Sequence, residues 1–247
     1  MLDLKDQTLG YLRVYKNANN FITCVAAKLS NVTGTAYRAH HGTVEFADEL
    51  KNSRLFMVVR DPITHFISGY TEYIFRDEEH DLGSKSAFAV PVSSRERFEL
   101  FVERLLQDVI AGTETLSAEA HHVYSQAAQL HFLAKQGISP SSVLLVDVKN
   151  SSRIHTIIKK HYSVSAIPND LFVERSCGQH PTSADPKKTT EAATAVLADP
   201  SNIWTQVACL MHMIDYACFP EYLSSSLCLS VYVARYHVLK RILEFYV

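Results

Sequence analysis

The segment Arg54–Tyr73 constrains the fold more than any other part of the chain, because it contains a strand, a turn and the start of a helix in succession. The apolar run Leu55–Val59 is short, ends in β-branched residues and is closed by a turn signal, which is typical of a buried strand. Pro62 suits the first turn of a helix, where its missing N–H is not needed. The segment therefore predicts one strand–turn–helix unit.

Strand followed by helix recurs along the chain, and such alternation is typical of a parallel sheet with crossover helices. We therefore predict an α/β fold: a single domain with a central parallel sheet flanked by helices. The predicted pairs are Leu9–Tyr15 with Asn20–Leu29, Leu55–Val59 with Pro62–Phe75, and Val143–Val146 with Ser151–His161. Further helices are predicted at Ser94–Ala111, Ala118–Lys135 and Asn202–Phe219.

The remaining segments are predicted to be loops and a tail. Arg76–Ser94 begins with acidic residues and is interpreted as a mobile surface loop or lid, and Cys177–Thr190 as a second loop. The domain is predicted to span residues 1–222, with 223–247 as an apolar helical extension packed on the domain or on a partner, which makes a homodimer possible. A basic amphipathic segment on a membrane surface is the alternative for this tail.

Size and composition bound the class of protein. The chain has 247 residues, of which 47% are hydrophobic and 20% charged, which is enough for one sizeable core. The net charge of −2 gives no overall positive field, so we expect no nucleic-acid partner. Any anion site must be local.

The cysteines and the apolar runs indicate the compartment. The five cysteines form no CxxC pair, and we expect reduced thiols in a reducing compartment. The start of the chain lacks a signal-peptide pattern, and no apolar run of about 18 residues is present for a membrane span. These features predict a cytoplasmic protein, or a soluble domain without its anchor.

Arg60 and Ser68 are candidate phosphate ligands. Arg60 follows the buried strand directly, and Ser68 comes about two turns into the next helix. A planar guanidinium and a hydroxyl at such a crossover can bind a phosphate. The alternative is a plain strand-exit turn with an Arg60–Asp61 surface pair.

Lys16 is a second candidate for anion binding. It lies between the first predicted strand and the following helix, whose N-terminus presents unpaired N–H groups and a positive dipole end. The alternative is a solvated lysine in an asparagine-rich turn. A Walker-type phosphate loop is excluded because the chain contains no GxxxxGK[ST] motif.

The segment Arg60–Tyr70 resembles the 3′-phosphate-binding motif of sulfotransferases that use 3′-phosphoadenosine-5′-phosphosulfate (PAPS). The carbohydrate (Golgi-type) branch writes this motif as a strand followed by RDPxxRxxSxY, and here His65 stands where that branch often has arginine. The resemblance implies a P-loop-kinase-like sulfotransferase topology. It also implies that Arg60 and Ser68 bind the 3′-phosphate.

The first turn is similar to the 5′-phosphosulfate loop of the same family, whose usual form is Pro-Lys-x-Ala/Gly-x-Thr/Ser-Thr/Ser. Tyr15 replaces the proline, and Phe21 stands where a hydroxyl residue is usual. The residues that the resemblance assigns to this loop are Lys16, Asn17, Ala18, Asn19 and Asn20.

Three further segments resemble the family, so that the likeness spans about Leu9 to Tyr222. His122 and Gln126 are in register with an HWxPQ segment, although the tryptophan and proline are absent. Val143–Asp147 resembles a later strand that ends in an acidic residue, and 214–219 resembles a late DYxxF helix.

The resemblance implies transfer of a sulfuryl group from PAPS to a hydroxyl or amine of a glycan or small metabolite by in-line displacement, without a metal. Catalysis is then mostly positioning and charge stabilisation. Lys16 would neutralise the leaving 5′-phosphate. The acceptor needs a general base, for which the candidates are His41, then His40, Glu45 and His122. Lys187 and Lys188 would close over the nucleotide, or they form a solvated basic loop.

Two other functions stay open. A nucleotide-using transferase or small-molecule kinase would need carboxylates to hold Mg²⁺, for which Asp61 and Asp147 are available. A non-catalytic nucleotide-binding relative is the third possibility, because Asn20 and Phe21 depart from the usual loop.

Overall fold

The computed structural model describes residues 2–4, 7–14, 19–33, 53–79, 90–91, 93–112, 122–162 and 186–235. These residues form a mixed, helix-rich α/β structure. Its strands are β1 (Leu2–Leu4), β2 (Gln7–Leu12), β3 (Ser53–Val59) and β4 (Leu144–Asp147). Its helices are α1 (Asn19–Thr33), α2 (Pro62–Glu79), α3 (Arg95–Ala111), α4 (Ala128–Lys135), α5 (Ser151–Tyr162), α6 (Pro186–Leu197), α7 (Ile203–Met211) and α8 (Met213–Cys218).

The chain divides into two compact units, and each is described by itself. The first unit contains Met1–Arg60 and Gln126–Pro181, and the second contains Asp61–Ser125 and Thr182–Val247. The division into a domain at 1–222 and an extension at 223–247 stays a prediction. Of that extension, residues 227–235 are helical and belong to the second unit.

A four-stranded sheet organises the first unit, in the order β1-β2-β3-β4. Strands β2, β3 and β4 are parallel, as the strand–helix alternation predicted, and β1 pairs antiparallel with β2. Strand β1 was not predicted, because three residues are too few to show a periodicity. The middle strand of the parallel part is β3, the strand that ends at Arg60.

Helices α1 and α5 pack on one face of this sheet. Side chains of a strand alternate between the two faces, so Phe56 and Val58 point to the same side of β3. They form one buried cluster with Leu9 of β2 and Val146 of β4. The same cluster contains Ile22, Val25 and Ala26 of α1 and Ile154 and Ile158 of α5, which lie at helical spacing along their helices.

An aromatic core organises the second unit. Phe66, Tyr70 and Tyr73 of α2 pack against Phe98 and Phe101 of α3, with ring centroids 4.8–6.4 Å apart. Their three- and four-residue spacing places each set on one face of its helix. Helices α6 and α7 complete this core with Ala193, Val196, Leu197 and Ala208.

Several predicted boundaries differ from the structure. Helix α2 continues to Glu79, so the predicted loop Arg76–Ser94 begins too early; charged residues such as Arg and Glu are good helix formers and do not end a helix. The predicted loop Cys177–Thr190 is wrong at its end, because Pro186 begins α6 and proline favours the first helical position.

Two predicted helices are shorter than expected. In the described part of Ala118–Lys135, residues 122–123 form a 3₁₀ turn and α4 begins only at Ala128, after a turn at Gln126. The predicted helix Asn202–Phe219 is divided at His212, whose φ of −101° and ψ of 12° are not helical. By contrast, α3 begins within one residue of its predicted start, with the Ser94 side chain accepting a hydrogen bond from the N–H of Arg97.

The expectation that the cysteines are reduced thiols is wrong for three of the four cysteines that the structure describes, and Cys218 is the free one. Cys209 of α7 and Cys228 of the helical segment 227–235 form a disulfide, and Cys24 of α1 is disulfide-bonded as well. Sequence spacing did not show the pair, because the two positions meet only in the folded chain. Among the described helices, none is long and apolar enough to cross a membrane.

Candidate functional site

Arg60 lies at the carboxyl end of β3, and its main chain is held by the side chain of Gln126. The N–H of Arg60 donates to Gln126 Oε1 over 3.0 Å, and Gln126 Nε2 donates to the carbonyl of Arg60 over 2.8 Å. Gln126 is fully buried, whereas Arg60 is partly exposed. One carboxamide thus bonds both polar main-chain groups of the residue that the sequence singled out for phosphate binding.

The hydrogen bonds around Arg60 show which side of β3 the amide occupies. Val148 N donates to the carbonyl of Val59 over 2.8 Å, so Val59 bonds toward β4. Successive residues of a strand bond to opposite sides, and Arg60 therefore bonds toward the side of β2. The pairing of β2 with β3 ends at Leu12 and Met57. Gln126 takes the hydrogen-bonding place that a longer β2 would have occupied.

This edge of the sheet is the one where α/β proteins bind ligands, because ligands sit beyond the carboxyl ends of parallel strands. Both β2 and β3 end there, since they are parallel. Strand β2 ends at Leu12 and α1 begins at Asn19, so the predicted order of a strand followed by a helix is present here. Asn20 lies in the first turn of α1. Lys16, Asn17, Ala18, His40, His41 and Glu45 lie outside the described residues.

Asp61 begins the second unit and caps helix α2. Its Oδ1 accepts hydrogen bonds from the N–H and the hydroxyl of Thr64, over 2.8 and 2.7 Å. A carboxylate at this position accepts a hydrogen bond from an otherwise unpaired N–H. Its negative charge also interacts favourably with the positive end of the helix dipole. In the first unit, Asp147 Oδ1 likewise accepts from the N–H of Lys149 over 2.8 Å. Both carboxylates considered for Mg²⁺ are thus used in local turns.

Helix α2 is fastened to the segment 122–125 within the second unit. His65 is 1% exposed, and its Nε2 donates to the carbonyl of Tyr124 over 3.3 Å. Gly69 lies so close that a Cβ atom there would be 2.3 Å from the carbonyl oxygen of His122. His65, which replaces the arginine usual in the resembled motif, is therefore a packing residue. Ser68 is partly exposed on the same helix.

His122, a candidate general base, is buried. His122 is only 4% exposed, and it lies in the turn that contacts α2. A general base must come within hydrogen-bond reach of the substrate proton that it removes. The burial of His122 favours a structural role over a catalytic one.

A buried chain of polar groups in the second unit was not predicted. The hydroxyl of Ser125 donates to Asp215 Oδ1 over 2.6 Å, and His212 Nδ1 donates to Asp215 Oδ2 over 2.8 Å. Asp215 and His212 are 0% and 1% exposed. The carboxylate lies between the hydroxyl and the imidazole, so the histidine does not activate the serine as a nucleophile. The signal in the sequence was Asp215 in the DYxxF-like segment.

Lys187 and Lys188 lie in the first turn of α6, so their assignment to a loop is corrected. Lys188 is exposed. The prediction of a loop treats Pro186 as a loop residue. In the structure Pro186 is the first residue of α6, so the two lysines that follow it are helical. Their role toward a nucleotide stays a prediction.

Two tyrosines and one cysteine of the second unit have perturbed acidities. Burial raises the pKa of the Tyr216 and Tyr232 hydroxyls, and Tyr232 donates to the carbonyl of Cys209 over 2.6 Å. Burial, followed by the negative charge of Asp215, raises the pKa of the Cys218 thiol. None of these groups is pushed toward neutral pH, so none is a candidate acid or base.

Within the part of the chain that the structure describes, no cluster of three or more His, Cys, Asp or Glu residues is arranged to hold a metal ion. Comparison with known proteins adds no assignment: no protein family matches the chain, and neither a curated protein nor a solved structure is significantly similar to it.

Proposed function

We propose that this chain is a PAPS-dependent sulfotransferase of the carbohydrate type, built on the P-loop-kinase-like topology. One observation supports this most: Arg60 stands at the carboxyl end of the middle parallel strand, its main chain is bound by Gln126, and a capped helix follows at once. The motif resemblance supplies the identity of the nucleotide, because a strand-end arginine alone indicates only an anion.

In this proposal Arg60 and Ser68 bind the 3′-phosphate of the donor. The 5′-phosphosulfate is bound by Lys16, Asn17, Ala18, Asn19 and Asn20. The acceptor oxygen or nitrogen attacks the sulfur in line, the bond from sulfur to the phosphate oxygen breaks, and the product nucleotide leaves. His41, His40 or Glu45 takes the acceptor proton. The acceptor is a hydroxyl or amine of a glycan or small metabolite.

We also propose a location for the protein, on the basis of the disulfides. Disulfides persist in oxidising compartments and are rare in the cytosol. The bond between Cys209 and Cys228, together with bonded Cys24, favours the secretory lumen over the predicted cytoplasm. A homodimer stays a prediction, which light scattering at several concentrations measures.

Calorimetric titration tests the donor site. The ligands are 3′-phosphoadenosine-5′-phosphate (the product nucleotide), AMP and ATP, each without and with Mg²⁺. We expect tight binding of the product nucleotide that requires the 3′-phosphate and is independent of Mg²⁺. Binding of ATP only with Mg²⁺ supports a kinase instead, and absence of all binding supports a relative without this chemistry.

Arg60→Ala tests the central assignment. Loss of a charge-assisted contact to phosphate costs about 1.5–3 kcal/mol, so we expect roughly 10- to 100-fold weaker binding of the product nucleotide. Arg54→Ala is the matched control, because Arg54 is an exposed arginine near the amino end of the same strand. Equal affinities of the Arg60→Ala and wild-type proteins would contradict the assignment. Lys16→Ala should lower the turnover.

A further inference from the structure

We propose that Gln126 is a positioning residue of the 3′-phosphate site, which acts by orienting Arg60. This inference rests on the proposed function and adds a residue that the motif comparison did not place in the site. Gln126 and Arg60 are 66 residues apart in sequence and belong to the same compact unit.

The first argument is the geometry of the contact. A carboxamide carries a donor and an acceptor in one plane, as a peptide group does. Gln126 uses both, over 2.8 and 3.0 Å, on the two polar main-chain groups of Arg60. Such a pair fixes the orientation of both the N–H and the carbonyl of Arg60, whereas a single hydrogen bond would leave one of these two groups free to rotate.

The second argument is burial. Gln126 is 0% exposed, so water cannot replace either hydrogen bond without opening the structure. A buried polar group that loses its partner retains the full cost of its desolvation. Removing the amide therefore leaves the N–H and the carbonyl of Arg60 without these two hydrogen bonds, and water does not replace them.

The third argument concerns the place of Arg60 in the sheet. The Cα–Cβ direction of a residue follows from its main-chain angles, and a long side chain magnifies any error at its root. Beyond Val59, Arg60 is past the β3–β4 ladder, and β2 pairs with β3 only as far as Leu12. Gln126 replaces the missing strand on the β2 side, so the direction in which the guanidinium leaves the sheet depends on it. Hydrogen bonds weaken steeply when their geometry is poor, so a guanidinium that leaves the sheet in another direction binds the 3′-phosphate less tightly.

The experiment compares the affinities of two ligands that differ only in the 3′-phosphate. The measured quantity is the ratio of the Kd for AMP to the Kd for 3′-phosphoadenosine-5′-phosphate. Gln126→Met keeps the size of the side chain and removes both hydrogen bonds. We expect this ratio to fall about 10-fold or more, as for the loss of one charge-assisted hydrogen bond, while the Kd for AMP changes less than about twofold.

Two control variants separate positioning from stability. Leu130→Ala truncates a buried residue of α4 in the same unit and destabilises it, but leaves the two hydrogen-bonding groups of Gln126 in place. Gln107→Met changes an exposed glutamine of α3. Both should keep the wild-type ratio when measured well below their unfolding temperatures.

Gln126→Glu gives a readout that a purely structural role would not produce. A protonated carboxyl offers one donor and one acceptor, as the amide does, whereas a carboxylate only accepts. Normalised to wild type at each pH, the ratio should be near wild type at low pH and fall as the pH rises.

The outcomes distinguish the two proposals. A wild-type ratio near one overturns the proposed function and this inference together. A large wild-type ratio that Gln126→Met retains overturns the inference alone and leaves the proposed function standing. A ratio that falls equally in Leu130→Ala also overturns it, because the effect then follows from stability.

Discussion

Gly69 of α2 and the main chain of His122 are in direct contact: a Cβ atom on Gly69 would lie 2.3 Å from the His122 carbonyl oxygen and 2.7 Å from its carbonyl carbon. A glycine is required here because its neighbour is main chain, which cannot rotate away as a flexible side chain can. The contact holds the helix that carries Ser68 against the segment 122–125.

Gly69→Ala should therefore destabilise the protein although alanine favours helices. The added methyl group forces the two segments apart, and such overpacking costs about 1–3 kcal/mol of the free energy of unfolding. Urea denaturation measures it. Gly112→Ala is the comparison, because nothing lies within 4 Å there and only its φ of +63° opposes a side chain. An unchanged or raised midpoint for Gly69→Ala would contradict the contact.

Asp215→Ala should cost about 3–5 kcal/mol of the free energy of unfolding, because removing one member of a buried polar set leaves its partners unpaired. Ser125 and the Nδ1 of His212 both lose their acceptor. Asp215→Asn keeps the shape and one acceptor oxygen and should cost less. Thermal and urea unfolding of the two variants measure the difference. Equal stabilities of Asp215→Ala and wild type would show that the set contributes little.

Reduction of the Cys209–Cys228 bond should lower the free energy of unfolding by about 2–4 kcal/mol, since the cross-link restricts the unfolded chain. The variant Cys209→Ala/Cys228→Ala isolates this bond from that of Cys24. We expect it to unfold at lower urea than wild type under oxidising conditions. With reductant present, the gap between the two proteins should close. Cys218→Ser is the matched control and should behave as wild type.

Cys218 is the free thiol among the cysteines that the structure describes, and it should react slowly with alkylating agents near neutral pH. Burial, and then the charge of Asp215, raises its pKa, so less thiolate is present at a given pH than in a free cysteine. Alkylation followed by mass spectrometry measures the rate. The rate should keep rising with pH where that of a model cysteine peptide has levelled off, and unfolding in urea should abolish this difference. A rate equal to that of a model peptide at neutral pH would contradict the raised pKa.

Local patterns predicted the positions of most elements, because they depend on short-range properties. The run Leu55–Val59 is buried as expected, and β3 extends it by only two residues to Ser53–Val59. Helix α3 begins one residue after the predicted start at Ser94, and the Ser94 side chain caps it by accepting from the N–H of Arg97. The prediction of a loop from Arg76 was wrong, because it treated polar residues as a loop signal and polar residues can continue a helix, as they do to the end of α2.

The candidate site was predicted in part. Arg60 stands at the strand end, as expected from an apolar run followed by a turn. The partner that holds it, Gln126, was noted only as a motif position. No local pattern in the sequence relates the amide of one residue to the main chain of another 66 positions away. Likewise, Ser125 and Asp215 meet across 90 positions.

By itself, the sequence determined the alternation of strands and helices, the parallel sheet and the exit of β3 at Arg60. These features follow from hydrophobic spacing and from the backbone limits of proline, both of which act over a few residues. The tertiary structure alone decided the amide pairing of Gln126 with Arg60, the closeness of Gly69 to His122 and the disulfide of Cys209 with Cys228. Each depends on which distant segments the packing of the cores brings together, and buried polar groups and sulfur atoms then bond to whatever partner that packing places within reach.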